Sequence, residues 1–288
     1  KAVRTLKSPF NDKVRQVVDF STVTKPGTYT LTAGKNKQTI NIAEHPYNEA
    51  LKAAIKAFYL QRTGTDIEAK YAGAFARKAA HPDTRVLIHP SAANKEHFEQ
   101  IDTQIPESNN NVPDLLDEIM YNLEWMLTMQ DPDDGGVYHK LTTPNFEAFV
   151  MPVDCKQDRY VVQKSTQAAL DFAATMALAA RIYKDYPQYQ PFCKIAANAA
   201  QRAYAWAVRF PKNYYTQQDN NSKYDPDVNT GTYDDNDADD EFFWAATEMY
   251  LTTGEQGYLE QARAFAPKQF TLPTWGNVAG LGIFQWLN

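Results

Sequence analysis

Asn229–Glu255 reads NTGTYDDNDADDEFFWAATEMYLTTGE, an acidic, glycine-containing loop that runs straight into a short helix rich in aromatics and alanine. Phe242, Ala245, Ala246 and Met249 recur at helical spacing, so one face of Asp239–Thr253 should meet a core. Asp237 stands where a capping residue would, with Asp240 three residues on. Carboxylates in the first turn suit the positive end of the helix. Gly254 closes it, because glycine enters the left-handed region freely. Two readings of the loop stand side by side. One is a set of carboxylates held near Trp244, Phe242 and Phe243 that binds a sugar. The other is a solvated, well-capped helix start, which the local sequence favours.

Working outward, the same period governs most of the chain. Ala50, Leu51, Ala54, Ile55, Phe58 and Tyr59 form a helical stripe. Further helices are predicted over Val112–Gln130 (with Pro113 in its first turn), Ser165–Lys184, Pro191–Phe210, Glu255–Ala266 and Trp275–Leu287. Long connections are left at Gly64–Ile105, Asp131–Lys164 and Pro211–Ala238, and loops of that length inside a domain are usually functional. Helix, turn or loop, helix recurs without any exact repeat, which suggests helical hairpins around a common axis with a cleft at one end. Residues 1–42 differ. Val14, Val18 and Phe20 fall on alternate positions, and Lys25-Pro26-Gly27 signals a turn. Thr28–Ala33 and Gln38–Ile42 alternate around Gly34-Lys35-Asn36, predicting a hairpin with a three-residue loop. Three strands are too few for a sandwich of about seven.

The composition narrows the function. A net charge of −6 argues against nucleic acid, which calls for a basic stripe. No apolar run approaches a membrane span. With 43% apolar residues the chain has a real core, and 17 Tyr and 5 Trp offer flat faces with polar edges that suit sugar rings. Cys155 and Cys193 exclude a disulfide scaffold or a four-cysteine zinc site and leave one bridge open. Asp235, Asp237 and Asp239 are spaced like the start of a calcium loop. Asp240 stands where that loop needs Gly and Ala246 where it needs Glu, so an EF-hand is rejected; a simpler calcium site on these three oxygens is retained as an alternative.

Several strings together resemble glycoside hydrolase family nine, the endoglucanases with an (α/α)6 barrel, often preceded by an immunoglobulin-like domain. They are KPGTYTLTAG, HPYNEALKAAIKAFYLQRTG, YAGAFARKAAHPDTRVLIHPSAA, IPESNNNVPDLLDEIMYNLEWMLTMQDPDDGGVYHKLT, RYVVQKSTQAALDFAA, GTYDDNDADDEFFWAATEMYLTTGE and PTWGNVAGLGIF, in that order. The resemblance implies a mainly α six-hairpin barrel over 45–288 and a remnant of the immunoglobulin-like β-domain over 1–44. It implies endo-acting, inverting hydrolysis of β-1,4-glucosidic bonds in cellulose or a related β-glucan, with no cofactor required; the structural calcium stays an alternative resting on Asp235, Asp237 and Asp239. It also implies a monomer that is secreted, periplasmic or on the cell surface, where polymeric glucan is found. The alternative is a truncated or non-catalytic carbohydrate-binding barrel protein. Another six-hairpin enzyme, such as a partner hydrolase of a polysaccharide lyase, would share the fold but not the GGVYHK and IPES strings.

The departures from the family pattern bear on catalysis. Members carry a GWYDAGDYNKY-like loop between the HPSAA and IPES strings, whose two Asp position and deprotonate the attacking water. Here Ala93 runs into Asn94, and the family's later H-x-R loop and acid Glu have no match before Asn288. The barrel is accordingly expected to be incomplete near 93/94 and in its C-terminal part, with no catalytic residue in the chain. Asp239, Asp240 and Glu241 are rejected as the catalytic pair. Inversion needs carboxyls about 6.5–9.5 Å apart, and neighbours at one helix start cannot hold a water between them.

Tyr138, His139, Lys140, Asp240, Glu241, Trp244 and Trp275 are the expected substrate-binding residues. A packing role stands beside His139, and core packing is the stronger reading of Trp244 taken alone. Gln163, Lys164 and Ser165 either line the same face or begin the next helix. Trp125 is assigned to the core. Family zinc positions correspond to Thr63 and Ala80, which leaves only His81 and His89, so no zinc is expected.

Overall fold

The computed structural model describes residues 2–7, 14–81 and 102–287. It divides into two compact units, Lys1–Ala53 and Ala54–Asn288. The Ala93–Asn94 junction and His89 lie outside the described residues.

In the first unit, β1 (Ala2–Lys7) pairs antiparallel with β2 (Val14–Asp19), and β3 (Gly27–Ala33) with β4 (Asn36–Ile42), as two separate two-stranded sheets. β1 was not anticipated. The β3–β4 turn is a two-residue one, not three. Ala33 pairs with Asn36, and Gly34 alone takes a left-handed φ of 62° at the first loop position, where glycine fits a tight hairpin.

Helix α1 (Asn48–Gln61) carries the predicted stripe and buries Ile55 and Tyr59. After the single turn α2 (Ala69–Ala72) the chain reaches α3 (Asp114–Thr128). Pro113 stands just outside α3, as its N-cap residue, one step earlier than predicted. Its acidic first turn is fastened from outside: Asp114 accepts from the Thr103 hydroxyl and the Ser108 hydroxyl, each at 2.8 Å. Buried Arg62 bridges Glu118 at 2.8 Å and Glu107 at 2.9 Å. These bonds tie the chain after α1 to α3.

The centre of the second unit is α4 (Thr166–Tyr183), an alanine-rich helix buried on nearly every side, against which α5 (Gln190–Arg209) and α7 (Asp239–Thr253) pack. Ala169, Ala173, Ala177 and Ala180 keep its surface low, so neighbouring helices approach closely and dispersion contacts are dense. α8 (Gln256–Ala264) and α9 (Ala279–Leu287) pack on α7. Gly254, at φ 74°, turns α7 into α8. The α4–α5 and α7–α8 pairs are the helical hairpins expected. Inside the long connections lie α6 (Gln217–Lys223) and the short pair β5 (Leu141–Thr142) and β6 (Tyr160–Val161), none of them predicted.

The start of α7 differs from expectation. Its N-cap position is held by Ala238, with no side-chain cap. Asp237 instead folds its Oδ1 onto the following amides, accepting from Ala238 N at 2.8 Å and Asp239 N at 3.1 Å. Asp240 does not reach back; it accepts from the Val278 amide and ties the loop before α9 to α7. Phe242, Ala245, Ala246 and Met249 are buried as predicted, and the burial also takes in Glu241, Phe243, Trp244 and Glu248. Cys155 and Cys193 are both free thiols.

Candidate active-site cleft

A cavity of about 530 Å³ opens where α3, α4 and the start of α7 meet the loops at 137–141, 233–235 and 275. Its first wall comes from the Asp131–Lys140 loop. Asp131 and Asp134 both accept from Lys164 Nζ at 2.8 Å. Lys164 holds the Asp131 carboxyl down at about 2. Gly135 takes φ 85°, and at Gly136 a β-carbon would sit 2.6 Å from the Trp206 ring, so the bend needs both glycines. The bend presents Tyr138, His139 and Lys140 to the cavity.

The polar atoms of the latter two are spent inside the protein. His139 Nε2 faces the Thr232 carbonyl at 3.2 Å and so carries the proton, and its Nδ1 accepts from the Ser165 hydroxyl at 2.9 Å. The ring stacks on Tyr215, 4.4 Å between centroids, and burial pushes its pKa down, which keeps it neutral. Lys140 donates to Gln217 Oε1 at 3.0 Å, Thr230 Oγ1 at 3.3 Å and the Gly231 carbonyl. The two side chains thus lash the 138–140 bend to residues 230–232. Ser165 is the N-cap of α4, accepting from Ala168 N, while Gln163 borders a separate cavity of about 320 Å³ with Tyr160 and Tyr224.

The lashed segment ends at Tyr233, a non-glycine residue held at φ 52°. Its ring meets Trp275 at 5.5 Å, tilted by 48°, and Trp275 is 89% exposed. Together they make an aromatic lip. The floor is carboxylic: Asp171 from α4 and Glu241 from the first turn of α7, beside Gln167 one turn before Asp171. Burial, and then the charge of nearby Asp240, raises Asp171; burial, and then Asp171, raises Glu241. At neutral pH Glu241 keeps its proton.

Of the expected site residues, Tyr138, His139, Lys140, Glu241 and Trp275 line this cavity, while Asp240 and Trp244 do not. Trp244 is 3% exposed and donates from Nε1 to Glu248, so it has no face to offer a sugar. Trp125, expected in the core, is half-buried: it packs against the core cluster and also lines the cavity. Gln167, Asp171, Phe172 and Tyr233 were missed. The available signal was a Gln and an Asp four residues apart in a helix otherwise almost wholly apolar. Asp235, Asp237 and Asp239 do not gather: among the described residues no group of three His, Cys, Asp or Glu side chains is placed to hold a metal ion. Among the same residues no helix is long and apolar enough to cross a membrane.

The profile of glycosyl hydrolase family 9 matches residues 91–288. The chain is 48% identical, over its whole length, to the xyloglucan-specific endo-beta-1,4-glucanase BoGH9A of Bacteroides ovatus, of which it covers 56%. It is 35% identical to endoglucanase D of Acetivibrio thermocellus, with 98% of the chain and 51% of the relative covered. It thus spans about half the length of these curated relatives. Among solved structures it matches a Bacteroides ovatus GH9 protein at a TM-score of 0.90 and 48% identity, covering 100% of this chain and 60% of that one. A single mutant thermostable endoglucanase from Alicyclobacillus acidocaldarius gives 0.77 at 27% identity, covering 98% and 58%. The mostly helical second unit, the order of its hairpins and these matches identify the chain as a member of glycosyl hydrolase family 9, whose structures are (α/α)6 barrels.

Proposed function

We propose that the protein to which this chain belongs hydrolyses β-1,4-glucosidic bonds at internal positions of cellulose or a related, branched β-glucan, with inversion. The observation that carries this reading is 48% identity along the whole chain to a xyloglucan-specific endo-beta-1,4-glucanase. The cleft supports it. Trp125, Tyr138, Tyr233 and Trp275 bring aromatic faces to one cavity, and such faces stack on the carbon face of a pyranose. Tyr138, Glu241 and Trp275 are the proposed substrate-contacting residues, with His139 and Lys140 holding the bend that carries Tyr138 and Asp240 fixing the loop before α9. Residues 1–44 are read as the remnant of an immunoglobulin-like domain and 45–288 as the hydrolase barrel. The protein acts as a monomer outside the cytoplasm, where its polymer is found.

The catalytic carboxyls belong to segments without a counterpart here. Within its aligned stretch the comparison with BoGH9A runs over 330 positions against the 288 residues of the chain, so about 42 positions there stand opposite gaps, and the part of the relative beyond the 56% covered has no match at all. One such segment is assigned between Ala93 and Asn94. The contiguous chain is therefore expected to bind β-glucan and not cleave it. A second reading, a carbohydrate-binding barrel without chemistry, draws support from His139 and Lys140, whose polar atoms are committed to the protein.

The test joins the chain to the unmatched segments of BoGH9A. The chimera should release reducing ends from xyloglucan or carboxymethylcellulose, with the α-anomer appearing first by NMR, while the unaltered chain releases none. A folded chimera that binds glucan without cleaving it favours the second reading, and a β-anomer as first product refutes inversion.

A further inference from the structure

Three buried side-chain oxygens in the cleft have no hydrogen-bond partner among the described residues: Gln167 Oε1, Asp171 Oδ1 and Glu241 Oε2. Gln167 is 6% exposed and Glu241 3%, and all three residues line the cavity. The orientation of Gln167 is fixed by its other end. Its Nε2 donates to the Asp235 carbonyl at 3.0 Å and the Asp237 carbonyl at 3.1 Å, so the oxygen must face the cavity. Gln167 and Asp171 are one helical turn apart and share a face of α4; Glu241 enters from α7. Buried acceptors without donors are rare in folded proteins and mark sites where something else supplies the donor.

The complement of this floor is a molecule with several hydroxyl donors and an apolar face for the aromatic walls. A metal ion fits worse, since among the described residues no three ligating groups converge. We propose that Gln167, Asp171 and Glu241 form the polar floor of a subsite for one pyranose ring of a β-glucan, whose hydroxyls donate to Gln167 Oε1 and hydrogen-bond with the unpartnered carboxyl oxygens of Asp171 and Glu241. The assignment rests on the β-glucan reading above and adds to it residues whose role is recognition, not bond cleavage. The raised pKa values of Asp171 and Glu241 agree with it, because a floor largely without charge binds a neutral sugar without desolvating two carboxylates.

The test is calorimetric titration of the chain with cellotetraose, together with thermal unfolding. Asp171→Leu should weaken binding about tenfold, the scale of one lost hydrogen bond to a buried acceptor. It should leave the melting temperature unchanged or raise it, because it removes an unpartnered polar group. Asp171→Asn keeps an acceptor and should bind within about threefold of the unaltered chain. Equal falls in affinity and melting temperature in Asp171→Leu would mark a structural residue and overturn the proposal. So would unchanged affinity in Asp171→Leu when Trp275→Ala weakens binding, a result that leaves the β-glucan reading standing. No binding of cellotetraose by the unaltered chain would sink both. Should Asp171→Leu not fold, a crystal structure of the unaltered chain with cellotetraose decides. Sugar oxygens about 2.7–2.8 Å from Asp171 and Glu241 support the floor, and a ring seated away from them overturns it.

Discussion

Replacing Arg181 with Met should cost the helical unit about 3–5 kcal/mol, the usual penalty for leaving a buried carboxylate without its partner. Arg181 lies on α4, and its guanidinium reaches two neighbouring helices. It donates to Glu248 Oε2 at 2.7 Å, to the Glu248 carbonyl at 3.1 Å and to Thr252 Oγ1 at 2.8 Å, all on α7, and to Gln285 Oε1 at 3.3 Å on α9. Glu248 has no exposed surface, and Arg181 and the Trp244 indole offset its burial. Met retains the apolar stem, so the loss reports the charge and not the volume. At roughly 2–4 °C per kcal/mol for a unit of this size, the melting temperature should fall by about 6–20 °C.

The effect has a definite pH dependence. Burial raises the Glu248 pKa even with Arg181 present, and the Met variant raises it further. A carboxyl with a raised folded pKa contributes stability below its unfolded pKa and loses it as pH rises through the folded value. The variant should therefore lie nearest the unaltered protein in acid, at about pH 4, and fall away from it as the pH rises, to be furthest at about pH 8. Thermal unfolding followed by circular dichroism at both pH values measures this. A loss below about 1 kcal/mol, or one that does not grow with pH, would refute the reasoning. Replacing both residues with Met and Leu should recover most of the loss.

Three further outcomes are expected. Gly282→Ala puts a β-carbon 2.8 Å from the Phe243 ring and 3.2 Å from Trp244 Cα, so urea unfolding should show a loss of about 1–3 kcal/mol, and a neutral result would mean α9 is free to shift off α7. Ser165→Ala removes the N-cap of α4 and the hydroxyl that fixes the His139 tautomer; unfolding should show a loss of about 0.5–2 kcal/mol, and no loss would mean the cap is idle. Lys164→Met should move the Asp131 titration by NMR from about 2 up towards the ordinary carboxylate range. A depressed folded pKa gives stability that is lost as pH falls through it, so the unaltered protein should keep the Asp131 bend to lower pH than the variant.

The helices were the legible part of the fold because an apolar period forces them. Asp239–Thr253 was placed to the residue, since Gly254 is the position where the chain must turn left-handed. Its cap was misassigned because an Asp side chain can fold onto the next amides as readily as cap a helix, and Asp237 does so. α6 was invisible: QQDNNSK has no apolar stripe and is held by bonds such as Asn221 to Val228, 2.9 Å from side chain to carbonyl. The cleft was half legible. Trp275 and the GGVYHK bend are written in residue types, but the commitment of His139 and Lys140 to residues 217 and 230–232 depends on contacts far along the chain. Trp125 meets the core as read, but its second role at the cavity was not legible, because helical period says which face is apolar, not whether that face also meets an opening. Asp171 was missed for the converse reason, a polar residue inside an alanine-rich stripe.

The central claim, that this cleft recognises β-1,4-glucan, is tested most directly by native affinity electrophoresis of the unaltered chain through gels containing xyloglucan, hydroxyethylcellulose or starch. Retardation by either β-1,4-glucan, absent with starch and reduced in Trp275→Ala, is the predicted result. Equal mobility in all three gels would contradict it.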